Sequence, residues 1–520
     1  MLQFMRSVRW LLFWLLLPSA AARELSGYVQ TLQSETEAAR AARHLRVAAR
    51  RVGPAIIVHR GAHSFAPENT LEACAAAMDY GADGCEVDIR RTSDGVLALF
   101  HDDMLDQLTN GFGEVSQLTY YELLSLKPRF IYGTANAQTR PPTFAALLAL
   151  ARQGAMLLHL DVKEPNLDDE LASLLESADA WDHVVAVNTQ NAAKLAQHPK
   201  LKLLRYKGPG LYENRRDVDP ESVNAQLARP GEMIMVDDPR VAARELKRPA
   251  YAPIPLPSGL RAPVSASSGA PNVFSPFHHV TGLGQRINPN SIGELMKLLK
   301  SNESERTRLD GDEAFQRHRT ARIVERAWAA QRLGELKPEA KFIADALQEL
   351  VRHRSLHKDW RYHGLDGAMA ARALGMLGAK QSVPALVKTF ERVDPELQKV
   401  VDPRFAANPL AWTDFRTKMY LLPALGELKC AASKAFLLKY LALEEAAARE
   451  LAPLQFEAAT KALLQQALSP MELRALLKHR HSAVRGTAIL ELLDHPTPGR
   501  TAALKAEVPW AFALPSAAMR

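Results

Sequence analysis

At 520 residues the chain is too long for one compact core, so two or more domains are expected. Hydrophobic residues make up 47% and charged residues 24% of it, a globular composition that excludes wholesale disorder. The net charge of +7 is a small basic excess for this length. Without zinc-finger spacing, an RNA-binding aromatic motif or a dense basic tail, nucleic acid is excluded as the expected partner.

Residues 1–22 read as a signal peptide. Arg6 and Arg9 give a positive start, residues 10–17 are an unbroken apolar run, and Pro-Ser-Ala-Ala-Ala at 18–22 supplies small residues for cleavage. The run is far shorter than the ~20 residues a membrane-spanning helix needs, so an uncleaved anchor is the lesser reading. The protein is therefore expected to be exported, periplasmic or secreted, with membrane association as an option. Three cysteines, Cys74, Cys85 and Cys430, are too few for a disulfide framework. Residues 23–53 are Ala- and Arg-rich and helical in pattern. Their narrow stripe of Leu45, Val47 and Ala48 suits either an anionic membrane surface or docking on the chain's own domain.

From residue 54 to 249 short apolar runs alternate with helix-like stretches. The runs are 55–58, 84–89, 96–100, 156–162, 184–187, 201–204 and 233–236. Continuous Val/Ile/Leu runs separated by helices predict a parallel sheet, and their number and span match a TIM-like (β/α) barrel. Residues 250–288 form a Pro/Ser/Gly-rich linker by composition. Residues 289–520 read as almost wholly helical. Units at 370–387 and 422–441, with a weaker one at 481–490, resemble HEAT-like repeats. The first two stand farther apart than the usual ~40-residue period, which makes 394–412 an insertion. Such an array offers an extended surface for a protein partner.

The barrel runs end in chemistry-bearing residues. The first ends at His59-Arg60-Gly61, the second contains Glu86-Val87-Asp88, the third ends at His101-Asp102 and the fourth holds Asp161-Val162-Lys163. Barrel enzymes build their sites at the C-terminal ends of strands. The strand period of two aims Glu86 and Asp88 to one face, and likewise Asp161 and Lys163. Clustered carboxylates repel and call for a cation; hard oxygen ligands without cysteine suit Mg²⁺ or Ca²⁺. Taken singly, each residue has a plain structural use: a hydrogen-bonded histidine, a salt-bridged Glu-x-Asp, a lysine that only neutralises its neighbour. Their convergence on successive strand ends favours a site.

These motifs also resemble a known family. His59-Arg60-Gly61, Pro67-Glu68-Asn69-Thr70, Glu86-x-Asp88, Thr92-x-Asp94-Gly95 and His101-Asp102 are similar to the glycerophosphodiester phosphodiesterase signature. The likeness continues through 105–111 and Leu118-Thr119-x-x-Glu122-Leu123, then recovers at Asp161-Val162-Lys163 and Val236-Asp237-Asp238-Pro239. The resemblance implies that Glu86, Asp88 and Asp161 hold one divalent metal, and that His59 and His101 are the acid–base pair. It implies further that Arg60 and Lys163 contact the phosphodiester oxygens and that Glu68 lies near the metal and the substrate alcohol, although Glu68 also suits a helix start.

Three positions depart from the family pattern. Asp161 stands where Glu is commoner, Gln107 where Arg is commoner, and no clear strand separates Tyr206 from Met233. Three functions follow as expectations. The first is hydrolysis of glycerophosphodiesters to glycerol phosphate and an alcohol. The second is a phospholipase D-like action on lysophospholipid or sphingolipid, needing an apolar groove from Phe112, Phe130 and Tyr132 and peripheral membrane contact. The third is a protein-binding helical array carrying a vestigial phosphodiesterase domain.

Overall fold

The computed structural model describes residues 34–129, 139–207, 220–248, 287–301, 313–391 (less 354, 358 and 360), 409–442 and 452–515. The expected signal segment and nearly all of the linker lie outside them.

The first half follows the alternation of its sequence. Helix α1 (Glu37–Arg50) precedes β1 (Ala55–His59), α2 (Leu71–Asp79), β2 (Gly84–Arg91) and β3 (Leu97–Leu99). Next come α3 (Tyr120–Ser125), α4 (Phe144–Gly154), β4 (Leu157–Val162), α5 (Asp168–Ala178), β5 (Val184–Val187) and α6 (Ala193–Ala196). Helix α7 (Pro220–Leu227), β6 (Met233–Val236) and α8 (Pro239–Glu245) complete this half. The sheet order is β5-β4-β2-β1-β6, every pair in that path parallel.

The sheet curls and its two edges approach through one irregular segment. The Leu204 amide donates to the Val185 carbonyl at 2.8 Å, and the Glu232 amide donates to the Arg205 carbonyl at 2.8 Å. Residues 204–207 thus lie between β5 and β6, and the run expected as a strand at 201–204 serves as this bridge without a regular ladder. The curled sheet meets its other edge here without the extra strand the sequence failed to show before Met233.

Period-two alternation sorts the side chains. Ile56, Val58, Val87, Leu158, Leu160 and Ile234 face the helices in the main core. Ala55, Ile57, Leu157, Val185 and Met233 point inward and form the barrel floor together with Val47 of α1. Gly84 is required there, since a Cβ on it would come within 2.0 Å of the Leu157 carbonyl oxygen. Arg43 of α1, fully buried, pairs with Glu35 and Asp179. The N-terminal helix therefore docks beneath its own barrel through Val47, while Leu45 of the same expected stripe stays 73% exposed. Cys74 and Cys85 are buried free thiols.

One strand differs from its expected direction. The 96–100 run, expected in the parallel sheet, is β3, paired antiparallel to β2 off the main path. A parallel return needs a crossover of a dozen or more residues. Only Thr92–Val96 intervenes, with Gly95 at φ +85°, so the chain closes a hairpin instead.

The second half stacks helices in two rows. The helices are α9 (Ile292–Leu299), α10 (Glu313–Leu336), α11 (Lys341–Arg352), α12 (Leu365–Met376), α13 (Val383–Glu391), α14 (Pro409–Glu427), α15 (Ala431–Leu441), α16 (Ala452–Leu464), α17 (Pro470–Leu477), α18 (Ser482–Asp494) and α19 (Pro498–Glu507). Helices α10, α12, α14, α16 and α18 pack in succession, backed by α11, α13, α15, α17 and α19. A Gly/Ala register sets the spacing of the front row. A Cβ on Gly334 would meet Ala373, one on Gly375 would meet Ala424 and one on Gly426 would meet Ala462, each at 2.9 Å or less. No described helix is long and apolar enough to cross a membrane.

Candidate active site

Strand β1 ends at His59, and its parallel neighbours β2 and β6 set what surrounds it. Register pairs Val58 with Val236 and His59 with Glu86. The residue after Val236, Asp237, therefore stands beside His59 and binds its Nδ1 at 2.8 Å. A carboxylate accepts, so Nδ1 carries the proton and Nε2 faces away, 3.9 Å from Glu86 Oε2.

The chain then turns sharply. Arg60 and Asn69, neither a glycine, hold φ of +58° and +56°, a backbone cost that clusters at functional sites. Gly61 follows at φ +77°, where a Cβ would press within 2.8 Å of Ala73. This turn aims the Arg60 amide at Glu86 Oε2 (3.0 Å). The Arg60 guanidinium reaches Glu68 (2.9 Å) and Asp88 (3.3 Å). Asn69, buried, clasps Asp88 twice: its Nδ2 donates to Asp88 Oδ2 at 2.7 Å, and its Oδ1 accepts from the Asp88 amide at 3.0 Å. The helix-start role open to Glu68 belongs to Thr70, whose side chain accepts from the Ala73 amide.

Strands β2 and β4 deliver the carboxylates. Asp88 and Asp161 are register partners, and Val87 between Glu86 and Asp88 is buried among the helices. Oxygens of Glu86, Asp88 and Asp161 lie within 4.8 Å of one another, the only such potential metal-holding group among the described residues. Lys163 Nζ bridges two of them, at 2.9 Å from Asp88 and 2.7 Å from Asp161, and Asn188 Nδ2 donates to Asp161 at 3.0 Å.

The electrostatics suit a cation held among these carboxylates. Burial, reinforced by Asp88 and Asp161, pushes the Glu86 carboxyl well above the usual range despite Arg60 and Lys163. Asp88 goes the other way: burial opposes its charge, but His101, Arg60 and Lys163 overcome that and hold it below the carboxylate range. Lys163 stays charged against burial because Asp88 and Asp161 flank it. Three clustered hard donors, one of them left costly to ionise, are a donor set that fits a divalent ion.

The β2–β3 hairpin brings in the second histidine. The Phe100 amide donates to the Asp88 carbonyl at 3.0 Å, so His101 lands next to Asp88. Arg90 donates twice to the His101 carbonyl, and Asp102 Oδ1 accepts from His101 Nδ1 at 2.6 Å. His59, Arg60, Glu68, Glu86, Asp88, His101, Asp161 and Lys163 thus share one end of the curled sheet. Arg60 and Lys163 make ion pairs with the carboxylates there. Asp237, Asn69, Asn188 and Asp102 complete the arrangement. Of the aromatic groove expected from Phe112, Phe130 and Tyr132, Phe112 is fully buried in the core and cannot line the mouth. Phe130 and Tyr132 lie outside the described residues.

A sequence model of the glycerophosphoryl diester phosphodiesterase family matches residues 59–205. The glycerophosphodiester phosphodiesterase of Caldanaerobacter subterraneus subsp. tengcongensis is 31% identical over 159 residues, which cover 29% of this chain and 65% of that protein. Human glycerophosphodiester phosphodiesterase 1 is 37% identical over 109 residues, covering 21% and 33% respectively. The chain thus spans less than two thirds of these relatives. A crystal structure of glycerophosphodiester phosphodiesterase from Agrobacterium tumefaciens aligns at 21% identity and a TM-score of 0.31, over 37% of this chain and 99% of that one.

Proposed function

The chain belongs, through residues 59–205, to the glycerophosphoryl diester phosphodiesterase family, and from that premise we propose that it is a divalent-cation-dependent hydrolase of glycerophosphodiesters, releasing a glycerol phosphate and an alcohol. The observation that carries the reading is the convergence of three carboxylates within 4.8 Å, beside a His59 whose tautomer is fixed by Asp237.

Glu86, Asp88 and Asp161 would hold the ion, Mg²⁺ or Ca²⁺ by the hardness of the donors. When bound, such a cation supplies positive charge against the phosphodiester oxygens. The chain's own residues do the rest. Arg60 and Lys163, already charged at the mouth, add two cations for the phosphate oxygens. His59 and His101 divide proton removal from water, or from a neighbouring substrate hydroxyl, and proton delivery to the departing alkoxide. Imidazole suits both near neutral pH, and in each ring the nitrogen opposite the one bonded to Asp237 or Asp102 would do that work. Glu68, through Arg60, keeps the guanidinium turned over Asp88. Export to the periplasm or medium is part of the proposal, supported by the pattern of residues 1–22 alone.

The test is purified full chain with Mg²⁺ or Ca²⁺, offered glycerophosphocholine and lysophosphatidylcholine beside His59→Ala. The expected result is glycerol phosphate release from the first substrate and a loss of about 10²–10⁴-fold in the variant. Undiminished turnover by His59→Ala overturns the acid–base assignment, and preference for the lysolipid overturns the substrate class.

A further inference from the structure

The front row of helices packs against the barrel, and between the barrel and helices α16 and α18 a small cavity remains. The barrel lines it with His63 and Asp237, the helices with Glu457, Lys461, Thr487 and Glu491. Asp237 is the residue that holds His59, so the cavity adjoins the proton-handling imidazole through a single side chain. Lys461 Nζ stands 2.8 Å from Glu457 and 4.0 Å from Glu491, with all three side chains less than one fifth exposed. Buried charge recurs in the front row, where Arg326 pairs with Asp366 at 2.9 Å; the Glu457, Lys461 and Glu491 group is the one that lines this cavity. Withdrawing charged groups from water is costly unless they are paired, and here the paired groups also face a cavity.

We propose that this cavity receives the alcohol portion of the phosphodiester, and that Lys461, Glu491 and Thr487 select a small hydroxylated group, a polyol. The inference rests on the phosphodiesterase reading for its substrate, and it makes the helical half part of the site.

Size and chemistry narrow the class. The cavity offers about 40 Å³ to water-sized occupants, where a single water needs about 10–15 Å³, so a two- or three-carbon polar end fits and an acyl chain does not. Hydroxyls both donate and accept. They match carboxylates that only accept, an ammonium that only donates and a threonine that does both. No Phe, Tyr or Trp lines the space, so a quaternary ammonium finds no aromatic cage. Carboxylates outnumber the lysine, which disfavours an anionic head group.

The test uses the full chain. For wild type, Lys461→Met, Glu491→Gln and Thr487→Val, kcat/KM is measured on glycerophosphoglycerol and on glycerophosphocholine, and calorimetry records the binding of free glycerol. The expected result is that the polyol-to-choline ratio of kcat/KM exceeds one in wild type and falls about tenfold or more in the variants, with polyol binding lost in parallel. A variant that merely loosens the fold lowers both substrates together; an unchanged ratio overturns the proposal. Thr487→Val keeps the ion pairs and serves if the charged variants unfold. Should wild type hydrolyse no phosphodiester, the functional reading fails by itself, and the calorimetry still decides the cavity: no polyol binding to wild type overturns it.

Discussion

Asp237 and Asp102 do the same job for two histidines: each carboxylate accepts the Nδ1 proton and leaves Nε2 for chemistry. Asp237→Asn keeps the shape but can offer an amide proton to Nδ1, turning the ring to its other tautomer. Its kcat on glycerophosphocholine should fall by about 10²–10⁴-fold at saturating metal; an unchanged kcat would leave Asp237 without a positioning role. Asn69 clasps Asp88 from a left-handed backbone, so Asn69→Ala should weaken the metal requirement's midpoint by about 10–100-fold, read as the Mg²⁺ concentration giving half-maximal turnover. At this scale much was legible in the sequence. Glu86-x-Asp88 and Asp161-x-Lys163 declare themselves because a strand's period puts i and i+2 on one face. Asp237 did not, since its role depends on β6 pairing with β1 across 178 positions of sequence. The available signals were a carboxylate just past the final apolar run and its place in the Val236-Asp237-Asp238-Pro239 motif, neither of which assigns it to His59.

The elements explain where pattern reading succeeded and where it stopped. Continuous apolar runs marked β1, β2, β4, β5 and β6. Periodicity could not distinguish β3 from them, and the Ser-Asp-Gly turn before it was the clue to a hairpin. The hairpin matters, because only by doubling back does His101 reach Asp88. The front-row glycines were visible as Leu-Gly pairs in two repeat units, but their use as contact points with Ala424 and Ala462 required the packing. The floor of the barrel carries a pH-dependent element. His183 is fully buried, donates through Nδ1 to the Met156 carbonyl at 2.8 Å and accepts through Nε2 from Arg43 at 3.2 Å. Burial, against the pull of that carbonyl, pushes its pKa down to about 4. The folded chain therefore refuses a proton that the unfolded chain takes near pH 6.5. That contribution is complete above about pH 6.5 and is lost as pH falls toward 4, at roughly 1.4 kcal/mol per unit. His159, also pushed to about 4, acts with it, while His44, raised in spite of burial by Asp182 and Asp179, acts against it. The thermal midpoint should drop between pH 7 and 5, and His183→Gln should flatten that drop; an equal slope in the variant would contradict the assignment.

Across the whole molecule the helical array is engaged with its own barrel. Gln331 of α10 donates to the Asn110 carbonyl, Tyr420 of α14 donates to buried Asp106, and Arg361 pairs with Glu114 at 3.1 Å. Arg240, fully buried on α8, joins Asp238 at 2.9 Å to Asp494 of α18 at 2.8 Å and lies over Phe65. Removing that charge leaves two buried carboxylates, a loss of about 3–5 kcal/mol. Arg240→Met should therefore lower the urea midpoint and separate the unfolding of the two halves into distinct steps; a single unshifted transition would contradict the coupling. The sequence announced helical repeats but not this docking, because its contacts join residues 221 to 314 positions apart and no local period encodes them.

The most direct test of the account is to strip the full chain with chelator and titrate Mg²⁺ or Ca²⁺ back while following both heat of binding and glycerol phosphate release. One ion per chain, with activity returning in step and neither seen in Glu86→Gln, is the predicted result. Full turnover in excess chelator, or ion binding that Glu86→Gln leaves intact, would contradict it.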